Sequence, residues 1–129
     1  MILLDTHALV WAVAERKRLS HAAHAAILQA QKMDGVAIAS ISLWELAMLI
    51  ARGRIQAFGT VDASVRLLTE GVVIKPITPE VAALAAQFPA DFPADPADRL
   101  IGATAVAEGM SLVTRDARLR ASPLLRTIW

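Results

Sequence analysis

The sequence predicts an α/β fold, in which a mostly parallel sheet is covered by helices on both faces. Short apolar runs alternate along the chain with longer stretches at helical spacing. The runs are too short for helices and are bounded by Gly, Asp, Ser or Pro. Strands that alternate with helices are joined by right-handed crossovers, and such crossovers give parallel pairing with helices on the sheet faces. At 129 residues, 56% hydrophobic and 19% charged, the chain reads as one domain, 1–129, with a well-filled core and no disordered character.

The elements follow in order. Ile2–Leu4 is the first strand, and residues 6–15 and 20–32 carry helical spacing. The second strand is Val36–Ala39, followed by helical patterns over 42–52 and 60–70. Val72–Ile74 reads as a third buried strand, entered through the helix stop Gly71. Thr78-Pro79-Glu80 opens a helix over 79–88 with a cap followed by proline. Phe88-Pro-Ala-Asp-Phe-Pro-Ala-Asp-Pro96 is a loop by its proline spacing, leading into a helix over 97–109 that Gly109 ends. Ser111–Thr114 is a fourth strand, and Ala117-Arg-Leu-Arg120 a final helical turn. The alanine-rich helices can pack closely on a sheet or on a second subunit.

Bulk properties exclude several classes. A formal net charge of +1 creates no general field for nucleic acid, so any basic patch must be local. With no cysteine there is no disulfide framework and no thiolate metal site, which fits a reducing cytoplasm. Arg16-Lys17-Arg18 follow the first apolar stretch instead of preceding it, unlike a signal peptide. No run approaches the ~18 apolar residues of a membrane span.

Acidic residues stand where apolar ones are expected. Asp5 lies where the first strand hands over to a helix, and a charge there needs a partner, a cap role or a metal. Glu45 is surrounded on its helix by Ile41, Leu43, Trp44, Leu46, Ala47, Met48 and Leu49. On that stretch alone Ser42-Leu-Trp-Glu45 reads best as a capping box, with the glutamate reaching back to the serine N–H. Asp95 can cap the helix that Pro96 begins, and Asp98 in its first turn gains from the helix dipole. Asp116 follows the fourth strand as Asp5 follows the first. Parallel sheets build their sites beyond the carboxyl ends of their strands, so Asp5, Glu45, Asp98 and Asp116 can converge on one rim. Crowded carboxylates raise one another's pKa unless a cation holds them. Oxygen ligands without Cys or clustered His suit Mg²⁺ or Mn²⁺ over Zn²⁺. Thr6 and Thr114 stand ready to hydrogen-bond the acids, or simply to cap.

Asp5-Thr6-His7-Ala8, Ser40-Ile-Ser-Leu-Trp-Glu45, Asp95-Pro-Ala-Asp-Arg-Leu-Ile101 and Leu112-Val-Thr-Arg-Asp116, in that order, resemble the PIN-domain nucleases, and among them the VapC-type toxins of toxin–antitoxin pairs. The resemblance implies a three-layer α/β/α sandwich and a Mg²⁺- or Mn²⁺-dependent endoribonuclease. It implies an acidic pocket of Asp5, Glu45, Asp98 and Asp116, a small antitoxin partner and a homodimer. Pro93-Ala94 before Asp95 departs from close relatives, which tend to carry a basic residue or His there. RNA must then be recruited by nearby cations: Arg99, Arg115, Arg118 and Arg120, with Arg52 and Arg54 further out. His7 reads as a helix-start residue, and His21 and His24 as structural.

Rival classes fit less well. A phosphoacceptor receiver domain needs paired acids after its first strand and a late lysine, whereas Asp5 is alone and the lysines are at 17, 32 and 75. A haloacid-dehalogenase-type phosphatase needs Asp-x-Asp, and position 7 is His. A non-catalytic RNA-binding or scaffold version of the PIN fold predicts a lost acid, and all four are present.

Overall fold

The computed structural model describes the whole chain, Met1–Trp129. Five parallel strands, β1 (Ile2–Leu4), β2 (Val36–Ala39), β3 (Val73–Lys75), β4 (Leu112–Val113) and β5 (Thr127–Ile128), form one sheet in the order β3-β2-β1-β4-β5. Register aligns Leu4 with Ile38 on one side and with Val113 on the other. Seven helices connect or flank the strands: α1 (Thr6–Ala14), α2 (His21–Lys32), α3 (Ile41–Ala51), α4 (Val61–Leu68), α5 (Pro79–Gln87), α6 (Pro96–Glu108) and α7 (Ala117–Ala121). A single 3-10 turn, Arg16–Arg18, joins α1 to α2.

Alternation along each strand sorts the core into two layers, because successive side chains of a strand point to opposite faces. Leu4, Val36, Ile38 and Val113 pack against Leu9 of α1, Ile27 of α2, Leu46 of α3 and Leu68 of α4. Leu3, Ala37, Ala39 and Leu112 face the other way, onto Ile101 and Ala105 of α6, Leu119 of α7 and Phe92. The α5 residues Val81 and Ala85 then cover Ala103 of α6. These are the expected three layers, α/β/α.

The predicted elements recur to within a residue or two, with three differences. The third strand sits one residue later than expected, and it is not buried: Val73 and Ile74 are 39% and 36% exposed. Its apolar composition suggested an interior position, but the strand order places it at the sheet edge. Strand β5 was not expected, since two residues carry no periodicity to read. The capping box at Ser42 is also absent. The helix begins at Ile41, so Ser42 lies inside the helix, fully buried, and Glu45 turns elsewhere.

The strand order fixes where a site can form. From β1 the chain winds outward through β2 to β3, then crosses back to β4 and β5 on the other side. The reversal lies between β1 and β4, and at such a switch point the connections leave in opposite directions and open a crevice beyond the strand ends. Asp5 follows β1 and Asp116 lies three residues beyond β4.

Candidate active site: an acidic rim at the switch point

Asp5 leaves β1 in extended conformation, and its Oδ1 accepts from the Ala8 N–H at 2.8 Å, capping α1. The next residue, Thr6, is buried, and its hydroxyl donates to Glu45 Oε1 at 2.6 Å. Ser42 Oγ lies 2.9 Å from the same Thr6 oxygen. Thr6 thus ties α1 to α3 and turns the glutamate toward the strand end, which replaces the expected reach back to Ser42.

The other acids arrive from the opposite side. Asp95 Oδ2 accepts from the Asp98 N–H at 3.1 Å and caps α6. Asp98, in the first turn, leaves its carboxylate free of any cap role. Gly102, on the same helix, lets the preceding loop close down: a Cβ there would stand 2.8 Å from Phe92 Cζ. Asp116 Oδ1 accepts from the N–H groups of Arg118 (2.8 Å) and Leu119 (3.3 Å). Thr114, fully buried, accepts from the Asp116 N–H at 3.1 Å and so fixes the turn that presents the acid.

The charges sense one another. Burial pushes the Asp5 carboxyl above its ordinary range, opposed by the Thr114 hydroxyl, the Ala8 N–H and His7, while Asp116 pushes it further up. Glu45 is raised chiefly by burial, with Thr6 opposing and Asp95 and Asp5 adding repulsion. Asp98 is pushed up to about 6 by burial and by the negative charges of Asp95, Asp116 and Glu45, with Arg118 opposing. Asp5, Glu45, Asp95, Asp98 and Asp116 therefore occupy one electrostatic neighbourhood. They form an open rim: no three acidic or imidazole side chains stand close enough to make a ready-formed metal cage. Arg118 reaches in with an Nη2 3.8 Å from both Asp98 Oδ2 and Asp116 Oδ2. An all-oxygen donor set whose members are destabilised by mutual repulsion fits a hard divalent cation.

The arginines divide. The Arg99 guanidinium donates to the carbonyl oxygens of Ala85 (3.1 Å), Phe88 (3.2 Å) and Pro89 (3.3 Å), so its donors hold the loop that carries Asp95. Arg115 is exposed, with its guanidinium carbon 5.9 Å from the centre of the Trp11 ring. Arg118 and Arg120 are exposed on α7. His7, taken from sequence as a helix-start residue only, is exposed beside the rim and acts on both Asp5 and Glu45. The signal for it was its place two residues after Asp5. Arg18, with its guanidinium carbon 5.6 Å from the centre of the Trp11 ring, had no signal in the sequence.

Fold and rim together define a class: a three-layer α/β protein with a cluster of acidic side chains at the switch point of its sheet. The chain belongs to the PIN-domain family, whose model matches residues 2–123. Ribonuclease VapC22 of Mycobacterium tuberculosis is 48% identical over 130 residues, spanning 99% of this chain and 98% of that protein. VapBC2 from Rickettsia felis, solved bound to a DNA fragment from their promoter, superposes with a TM-score of 0.76 at 20% identity, covering 98% of this chain and 97% of that one. A toxin–antitoxin complex from Klebsiella pneumoniae does so with a TM-score of 0.70 at 20% identity, over 97% and 95%. No helix is long and apolar enough to cross a membrane.

Proposed function

We propose that this chain is one nuclease domain, a Mg²⁺- or Mn²⁺-dependent endoribonuclease of the VapC type that acts as the toxin of a toxin–antitoxin pair. The observation that carries the reading is the convergence of Asp5, Glu45, Asp98 and Asp116, far apart in sequence, on one rim where burial, and then neighbouring carboxylates, raise the proton affinity of Asp5, Glu45 and Asp98. The name of its 48% identical relative supports RNA as the substrate. Its neighbours among toxin–antitoxin complexes support a small protein partner. So does an apolar groove of about 610 Å³ between α1, α2 and α4, lined among others by Leu9, Val13, Phe58 and Leu67. Trp44, 57% exposed on α3, offers a contact for a second copy of the chain.

In the proposed mechanism Asp5, Asp98 and Asp116 would hold the cation, and Glu45 would align the attacking water or complete a second cation position. When bound, a divalent ion would supply Lewis-acid activation of the phosphate and of the attacking water. Thr6 holds Glu45 in its orientation through the 2.6 Å hydrogen bond, and Thr114 with the Ala8 N–H opposes part of the rise that burial imposes on Asp5. Asp95 sets the first turn of α6 and, by its charge, raises the proton affinity of Asp98. Arg118 neutralises the pair Asp98 and Asp116, and a phosphate entering the pocket competes for it. Arg115 lies at the mouth.

Glu45→Gln tests the reading. The amide oxygen still accepts from Thr6, so the fold and its melting temperature are expected to stay near the parent's. Mn²⁺ binding by calorimetry and cleavage of RNA are expected to fall together. Cleavage at the parental rate would overturn the assignment.

A further inference from the structure

The rim presents a difficulty for its own substrate, because clustered carboxylates repel phosphodiesters and the net charge of +1 supplies no general attraction. One basic feature lies one helix length away from Asp5, at the other end of α1. Arg16, Lys17, Leu19, Ser20, His21 and His24 line a surface pocket of about 380 Å³. Glu15 answers Arg18 at 2.9 Å, which leaves Arg16 and Lys17 without an acidic partner. The histidines that the sequence left as structural are on its wall, His21 exposed.

A path links this pocket to the rim. Arg18 and Arg115 both stand over the Trp11 ring, at 5.6 and 5.9 Å, and His7 leans on the same ring at 5.8 Å. Trp11 is buried and held against Trp129, so the two guanidiniums are fixed by a rigid support. Arg115 adjoins Asp116, and His7 faces Asp5 and Glu45. The nine residues of α1 span ~14 Å at 1.5 Å per residue, a distance that several phosphates of an extended strand cover.

Resting on the ribonuclease reading above, we infer that the Arg16–Arg18 turn, with His21 and His24, is a landing site for the RNA backbone, from which Arg18 and Arg115 lead the strand along Trp11 to the acidic rim. An acidic protein segment gains nothing by running from cations toward carboxylates. A phosphodiester has to reach them to be cut.

The test measures binding of a labelled single-stranded RNA oligonucleotide of mixed sequence in the Glu45→Gln background, across salt concentrations. Arg16→Gln with Lys17→Gln is expected to reduce the slope of log K against log salt by about 1.4, two phosphate contacts at ~0.7 each. Lys17→Gln alone, at an exposed position with no hydrogen bond to lose, gives half that drop. With Glu45 restored, the double variant raises KM and leaves kcat unchanged. Arg66→Gln with Arg126→Gln removes the same net charge elsewhere: Arg66 pairs with Asp62 on α4 and Arg126 bonds the Gly109 carbonyl ahead of β4. Its slope stays parental. Equal slopes in all variants overturn the landing site, as does a loss confined to binding of an antitoxin protein, which would give the turn to that partner. A parent that binds the RNA through this turn but never cuts it would sink the ribonuclease reading and leave the landing site standing.

Discussion

Three helices that end at the rim and three that do not solve the same problem with different residues. Helices α1, α6 and α7 are capped by Asp5, Asp95 and Asp116, with oxygen-to-nitrogen distances of 2.8, 3.1 and 2.8 Å. Helices α2, α4 and α5 are capped by Ser20, Thr60 and Thr78, at 3.0, 3.1 and 3.1 Å. A hydroxyl satisfies the first-turn N–H as well as a carboxylate does, and the two residue classes cap with similar strength. Capping therefore accounts for an oxygen at positions 5, 95 and 116, and leaves the charge unexplained. Glu45 and Asp98 cap nothing. The excess negative charge is gathered beyond the carboxyl ends of the central strands β1 and β4, where it raises the proton affinity of Asp5, Glu45 and Asp98, the arrangement on which the proposed cation site rests.

The sharpest break of this comparison is to keep the caps and delete the charges. Asp5→Asn and Asp116→Asn retain a side-chain acceptor. Each is expected to fold normally while losing cleavage by about 100-fold or more, the scale seen when the groups around a catalytic metal are disturbed. Undiminished Mn²⁺ binding in Asp5→Asn would remove that residue from the ligand set.

Asp98→Asn separates stability from function. The folded carboxyl titrates near 6 against an ordinary 3.8, so the native state holds a proton that the unfolded chain releases. Without a divalent ion, the stability this group contributes is fully present below pH ~4 and is lost as pH rises to ~6. Asn carries no charge to lose. The variant is expected to be more stable than the metal-free parent at neutral pH by about 1 kcal/mol, after discounting for water that still screens the group. It is also expected to lose the rise in Mn²⁺ affinity that the parent shows as pH increases through 6. Thermal melts with and without EDTA read the first effect and calorimetry the second.

The smallest effect comes from the neutral caps. Thr78→Ala is expected to cost about 1 kcal/mol of stability with Mn²⁺ affinity and cleavage unchanged. A loss of metal binding there would erase the distinction between the two sets of helix ends.

Asp5 and Glu45 stood out in the sequence because a charge beside or inside an apolar run contradicts its surroundings, whereas Asp95 and Asp98 read locally only as a cap and a first-turn charge. Strands β1, β2 and β4 were legible for the complementary reason, since their runs are apolar and do become interior. Residues 72–74 were misread as interior because composition records hydrophobicity and not position; only the order β3-β2-β1-β4-β5 makes the strand an edge. Ser42 and Glu45 fit a local motif, yet a partner 36 and 39 residues away in the chain claims them. The same holds for Arg99, a neighbour of Asp98 in sequence whose donors go to carbonyls 10 to 14 residues back. Arg18 meets Trp11 only after α1 has turned, and nothing in Arg16-Lys17-Arg18 announces it.

The exposed edge has a consequence for how this molecule behaves in a crowd. A row of unpaired peptide groups flanked by valine and isoleucine is a template on which other chains can add strands and grow fibres. Here the template is three residues long, Lys75 sits at its end held to Glu108 at 3.6 Å, and Pro76 follows with no N–H to offer. At this edge, resistance to self-templated assembly thus rests on a short strand and two adjacent residues, and a variant that lost both residues is expected to aggregate more readily with the acidic rim unchanged.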